Sequence, residues 1–228
     1  MACRGLVAVG DSITYGEGAM ALGVPALGWA QWLARALDLP YTCYAVNGAR
    51  TVDVLRDQLP RVRSGHDVAT LYTGVNDVRD PGFDLAAYEH DLASLACGLS
   101  ERAEQVLMLT LPHDLGRPTS APKPVHANGV VRRIAERHGA IVADLSDLRG
   151  WELVLPDAVH PTPSGQLEMA DRAARALGSA VLPSALVPDR RPPGPRYAAT
   201  HARMAAATLA QRARERARHE LAAARRGR

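Results

Sequence analysis

Short apolar runs alternate along this chain with longer stretches in which apolar residues recur every three or four positions. The runs are Leu6 to Val9, Tyr41 to Val46, Val68 to Tyr72, Val106 to Leu111 and Ala140 to Val142. Each is apolar or β-branched at most positions, without strict alternation of polar and apolar residues. That pattern suits strands buried on both faces of a parallel sheet. Between the runs lie amphipathic stretches, Trp29 to Leu37, Val52 to Leu59, Leu85 to Leu99 and Asn128 to His138. Asp38-Leu39-Pro40 and Arg63-Ser64-Gly65 punctuate them as turns. A last core helix is expected from Pro163 to Leu177, with Thr162 as its cap and Pro163 in its first turn. The alternation predicts βαβ units, and therefore an α/β class: a three-layer α/β/α domain with a parallel central sheet.

Two segments break the pattern. Gly16 to Gly28 is rich in Gly, Ala and Leu, and Pro112 to Pro124 carries four prolines and reads as a long loop. After Pro183 the composition changes. The reading is a core domain over residues 1–183, a Pro- and Arg-rich linker over 184–196, and a basic, Ala- and Arg-rich C-terminal helix over 197–228.

Composition narrows the classes. The chain has 228 residues, 47% hydrophobic and 22% charged, as an ordinary globular protein does. With aromatics at 4%, the core must rest on Leu, Val and Ala. The net charge of +3 is too small to imply a nucleic-acid partner, and the arginines of the tail lack interleaved aromatics. Three cysteines, Cys3, Cys43 and Cys97, cannot all pair and show no metal-ligand spacing, so reduced thiols and no metal are expected. No run approaches the roughly 18 to 20 apolar residues of a membrane span. The N-terminus lacks the pattern of a signal peptide, and a cytoplasmic protein is expected.

Four separated pieces point to chemistry. Gly10-Asp11-Ser12-Ile13-Thr14-Tyr15-Gly16 follows the first strand, Asn47-Gly48-Ala49-Arg50-Thr51 the second, and Thr73-Gly74-Val75-Asn76-Asp77 the third. Asp157-Ala158-Val159-His160-Pro161 precedes the last core helix. Ligand sites of open parallel sheets form beyond the carboxyl ends of the strands, where these pieces would meet. A serine hydroxyl needs a base to become nucleophilic, which His160 can supply. An imidazole needs a partner to fix its tautomer, and Asp157 stands three residues away. The backbone N–H groups of Ser12 and Gly48 and the side-chain amide of Asn76 are candidate donors to an oxyanion. Gly48, lacking a Cβ, would let the backbone approach a substrate.

Together these pieces resemble the sequence blocks of the SGNH, or GDSL-like, serine hydrolases. Gly10-Asp11-Ser12 is similar to the first block, with Ile13 where a Leu is frequent. Gly74-Val75-Asn76-Asp77 is similar to the third, and Asp157-Ala158-Val159-His160-Pro161 to the fifth. The family's eponymous residues would be Ser12, Gly48, Asn76 and His160. The resemblance spans roughly Gly5 to Leu182 and not the tail. It implies a flavodoxin-like SGNH hydrolase fold, a triad of Ser12, His160 and Asp157, and metal-free ester, thioester or acyl-transfer chemistry without a cofactor. It names no particular substrate.

The expected function is therefore cleavage of a carboxylic ester or thioester in a small acyl substrate, through an acyl-enzyme on Ser12. An acyltransferase and a carbohydrate O-deacetylase using the same triad remain open, as does a non-catalytic binding module on the same scaffold. Asp11, Arg50 and His113 are further pocket candidates. Asp11 is expected to accept N–H bonds around the nucleophile turn, and Arg50 is expected to be a solvated arginine, with holding a substrate carboxylate or phosphate as the alternative. Apolar residues of the irregular segments, Met20, Leu22, Val24, Leu27 and Leu115, suggest an acyl chain. The basic tail could dock on its own domain, on a second subunit or on an acidic partner.

Overall fold

The computed structural model describes residues 5–16, 19–117 and 119–226; Cys3 lies outside them. The side chains of Arg212, Arg216, Arg218, Arg225 and Arg226 also lie outside that description. Five strands, β1 (Leu6–Gly10), β2 (Tyr41–Cys43), β3 (His66–Tyr72), β4 (Ala103–Leu109) and β5 (Ile141–Ala143), form one parallel sheet in the order β2-β1-β3-β4-β5. All five overlap the apolar runs, though β2 stops at Cys43, short of Val46, and β3 and β4 begin earlier, at His66 and Ala103. Leu6, Val7, Ala8 and Val9 are wholly inaccessible, as a strand covered on both faces requires.

The helices in chain order are α1 (Ser12–Tyr15), α2 (Trp29–Ala36), α3 (Thr51–Asp53), α4 (Val75–Arg79), α5 (Leu85–Ser100), α6 (Lys123–His138), α7 (Pro163–Ala176) and α8 (Pro195–Arg226). The chain runs from β1 outward to β2, then returns past β1 to β3 and continues in the other direction. Right-handed crossovers then put α2 on one face and α5 and α6 on the other. Accordingly α2 packs on α7, and α5 on α6. Leu92, Leu95, Ala96 and Leu99 form the buried stripe of α5 at helical spacing. Asp84 caps that helix by accepting from the N–H groups of Ala86 and Ala87. Thr162 caps α7 as expected, accepting from Gly165 N–H. Across the sheet end, Trp29 and Tyr72 meet edge to face at 6.5 Å.

Three segments differ from expectation. The loop assigned to Pro112 to Pro124 ends early, because α6 starts at Lys123. Pro124 falls in its first turn, where a missing N–H costs nothing. The helix expected from Val52 to Leu59 is α3 followed by a π-turn (Val54–Gln58) and a 3₁₀ turn (Leu59–Arg61). Residues 183–194 run along the domain: Val187 is buried, Ser184 N–H donates to Asp171, and Arg191 N–H donates to the Leu22 carbonyl. No helix among the described residues is long and apolar enough to cross a membrane.

Candidate active site

The reversal of chain direction at β1 opens a crevice between the carboxyl ends of β1 and β3. Gly10 at the end of β1 is in register with Tyr72 at the end of β3. Ser12 lies just past the first, and Gly74 to Asn76 just past the second. Gly10 has φ 153°, and a Cβ there would meet the Tyr72 carbonyl oxygen at 2.3 Å. Only glycine permits the chain to turn there from strand into α1. Asp11 caps that helix, its Oδ1 accepting from Ile13 N–H at 3.0 Å.

Ser12 Oγ lies 3.1 Å from His160 Nε2, and His160 Nδ1 lies 2.7 Å from Asp157 Oδ2. A neutral ring donating its Nδ1–H to Asp157 leaves Nε2 free to accept the Ser12 proton. Asp157 Oδ1 also accepts from the N–H groups of Val159 and His160, at 2.9 and 3.1 Å. Burial pushes the Asp157 carboxyl up, but the bond from His160 and these two backbone bonds outweigh it, and its pKa is lowered. The bond to Asp157 raises the pKa of His160 against the opposing effect of burial. His160 and Asp157 thus share one loop, closed by the bridge between Val154 and Pro161.

The second and third blocks meet opposite this loop. Asn76 Nδ2 donates to the Ala49 carbonyl at 3.0 Å, leaving its second amide hydrogen for another acceptor. Asp77 accepts from Thr51 N–H at 3.1 Å, and the hydroxyls of Thr51 and Thr73 are 3.2 Å apart. These bonds fix the turn carrying Gly48, which has φ 78°. A Cβ on Gly48 would meet nothing within 4 Å, so the backbone conformation, and not crowding, selects glycine. Ser12, Asn47, Gly48, Asn76, Arg79, Leu155, His160 and Gln166 are among the residues that line one open cavity of about 520 Å³.

Of the remaining candidates, Asp11 immediately precedes Ser12 and is wholly buried. Its pKa is pushed up to about 7, chiefly by burial, with the Ile13 N–H bond and the charge of His160 opposing. Arg50 and His113 are not brought into the cavity. Arg50 turns to Asp80, 2.7 Å away, because its own loop is anchored to α4. His113 is exposed, its N–H bonded to the Ser146 carbonyl.

Three residues that the sequence did not single out support the site. Gln58, from the π-turn, bonds both backbone groups of Gly10. Gln166 of α7 accepts from Trp29 N–H and donates to the Ile13 carbonyl. Arg79 lines the cavity, and its charge opposes protonation of His160. Arg79 stands three residues after Asn76, one helical turn on, and that spacing was the available signal.

The chain matches the GDSL-like lipase/acylhydrolase family over residues 8–168. No curated protein sequence matches it. Solved structures similar to it include LAE5, an alpha/beta hydrolase enzyme from the metagenome of Lake Arreo, Spain. It is 21% identical, with a TM-score of 0.63, covering 78% of this chain and 96% of that one. The acetylxylan esterase Axe2 from Geobacillus stearothermophilus is 22% identical, with a TM-score of 0.60, covering 78% of this chain and 95% of its own. At such identities these likenesses establish the fold alone. With its fold shared and more than two thirds of its length matched, the chain is an ester hydrolase belonging to the GDSL-like lipase/acylhydrolase family.

Proposed function

We propose that this chain cleaves a carboxylic ester through a covalent acyl-enzyme on Ser12. The observation that carries the reading is the continuous relay Ser12–His160–Asp157, at 3.1 and 2.7 Å, opening into the cavity that holds Gly48 and Asn76.

The steps follow from that geometry. Ser12 Oγ attacks the ester carbonyl carbon while its proton passes to His160 Nε2. The carbonyl π electrons move to oxygen, and the N–H groups of Ser12 and Gly48 and the free Asn76 amide hydrogen receive that oxyanion. Asp157 stabilises the imidazolium without taking its proton. Collapse breaks the bond to the alcohol oxygen, which leaves with the proton from His160. Water then attacks the acyl carbon, giving one proton to His160. Collapse expels Ser12 Oγ, which recovers that proton, and the acid is released.

A second reading, removal of an acetyl group from a sugar, draws support from the likeness to an acetylxylan esterase. Turnover of p-nitrophenyl esters from acetate to decanoate by wild type, Ser12→Ala and His160→Ala tests the mechanism. At least a ~10²-fold loss in both folded variants is expected. Undiminished turnover in both would overturn it. The chain-length profile distinguishes acetyl from longer acyl groups.

A further inference from the structure

A second cavity, of about 430 Å³, adjoins the first and shares Leu155 and Pro161 with it. One side is the loop that presents His160. Leu155 N–H donates to the His160 carbonyl at 2.8 Å, so the shared wall is tied to the base itself. The other side is α8, which lies beyond the residues matched to the family. Tyr197 donates to the Trp151 carbonyl at 3.0 Å, His201 Nε2 lies 3.3 Å from the Val154 carbonyl, and the rings of Trp151 and Tyr197 are 5.3 Å apart. Ala21, Met20, Pro163 and Met204 complete the walls.

The chamber offers carbon to its contents. The hydroxyls of Thr162, Tyr197 and Thr200 donate to the carbonyls of Glu152, Trp151 and Arg196, and His201 is turned to Val154. These four polar tips are thus turned to backbone acceptors, while Arg196 adds one charged residue to the lining. Met20 and Met204 are left 72% and 39% exposed. Their flexible thioethers suit an unbranched apolar guest. The volume falls in the range of small-molecule pockets, ~300 to 1,000 Å³.

We infer that this chamber receives the acyl chain of the substrate and that α8 is a specificity element, built from the segment outside the family match. The inference rests on the ester-hydrolase reading above and names its substrate class, an unbranched medium-length acyl ester. The chain attached at Ser12 passes Leu155 and Pro161 and lies between Met20 and Met204.

The test compares full-length wild type, Met204→Glu and Leu209→Glu on the p-nitrophenyl ester series. Glu is a good helix former, and position 204 is partly exposed, so folding is retained. In wild type, kcat/KM should rise roughly twofold to fourfold per added methylene before levelling off. Met204→Glu should lower the decanoate-to-acetate ratio at least tenfold. Leu209→Glu, on a 66% exposed position of α8 away from the chamber, should keep the wild-type ratio. A wild-type profile that falls with chain length, or a ratio unmoved in Met204→Glu, overturns the inference while leaving Ser12 catalysis standing. A second arm needs no turnover: calorimetric titration of decanoate into Ser12→Ala, with and without Met204→Glu. At least tenfold weaker binding in the double variant is expected. Equal binding, or none to Ser12→Ala, overturns the chamber even if no ester is hydrolysed.

Discussion

Gln58 grips Gly10 by both of its backbone groups. Gly10 N–H donates to Gln58 Oε1 at 2.9 Å, and Gln58 Nε2 donates to the Gly10 carbonyl at 2.8 Å. This closed pair of bonds, buried between the π-turn and the end of β1, fixes the strand end from which Asp11 and Ser12 project. Ser12 is therefore positioned from an element 48 residues away in sequence.

Gln58→Leu keeps the side-chain volume and removes both bonds. Each buried polar group left unpaired costs ~1 to 3 kcal/mol. The variant should lose about 2 to 4 kcal/mol of stability, read as a lower urea midpoint at unchanged m. Its kcat should fall about tenfold or more, because a small displacement of Ser12 disrupts the attack geometry. Unchanged stability would show that water or relaxation replaces the pair.

In the proposed mechanism the His160–Asp157 pair sets the pH response. His160 must be neutral to accept the Ser12 proton, and its pKa is raised above the ordinary 6.5 by the bond to Asp157. Activity should therefore fall as pH drops through that raised value, with the acid limb above pH 6.5. Stability responds differently. The histidine contribution is fully present below 6.5 and is lost as pH rises through the raised folded value. The contribution of Asp157, whose pKa is lowered, is present above 3.8 and is lost as pH falls through the lowered folded value. Asp157→Asn retains an oxygen for the N–H groups of Val159 and His160, so the loop should hold. Its acid limb should move to lower pH, and kcat should fall at least ~10³-fold. A pH–rate profile of both proteins checks this; coincident limbs would remove Asp157 from the relay.

Much of this was readable from residue order. The five strands announced themselves because a parallel sheet buried on both faces demands continuous apolar runs, and Leu6 to Val9 is one. That Ser12 and Asn76 lie close together was legible because residues directly after predicted strands must gather at one sheet edge, and His160 because its loop leads into the last core helix. Gln58 and Gln166 were not. A polar residue within an amphipathic stretch looks solvated until the tertiary fold buries it. Arg50, read first as a solvated arginine, is half exposed and spends its guanidinium on Asp80, a partner that its place in the second block does not announce. The π-turn at Val54–Gln58 has no periodicity signal of its own, yet it aims Gln58 at Gly10.

Asp11 gives a prediction of opposite sign to Asp157. Its Oδ1 accepts from Ile13 N–H, while Oδ2 is buried with no hydrogen-bond partner among the described residues. With its pKa pushed from 3.8 to about 7 by burial, the folded state holds a proton that the unfolded chain releases. Its contribution is full below 3.8 and is lost as pH rises to about 7. Asp11→Asn keeps the cap and abolishes that loss. Between pH 5 and pH 8 the variant should gain about 2 kcal/mol relative to wild type, measured by denaturant melts at both values. A constant difference at the two pH values would show that Asp11 does not titrate there. The substitution should also shift the activity limb toward lower pH, because the charge of Asp11 helps to raise the pKa of His160.

In the proposed mechanism Asn76 and Gly48 separate two ways of losing an oxyanion donor. Asn76→Ala deletes the amide outright, together with its bond to the Ala49 carbonyl. One donor of this kind is worth ~10² to 10³ in kcat. A loss of that size is expected with little change in KM, since the donor acts on charge that develops only in the transition state. Gly48→Ala leaves an N–H in place and meets no neighbouring atom, but it puts a Cβ on a backbone with φ 78°. The left-handed conformation costs an L-residue ~1 to 2 kcal/mol. If the turn holds, stability should fall by about that amount and kcat should change less than in Asn76→Ala. If it flips to relieve the strain, stability should stay near wild type while kcat falls as far as in Asn76→Ala. Melting curves alongside kcat distinguish these outcomes, and an unaltered kcat in both variants would exclude Asn76 and Gly48 from oxyanion binding.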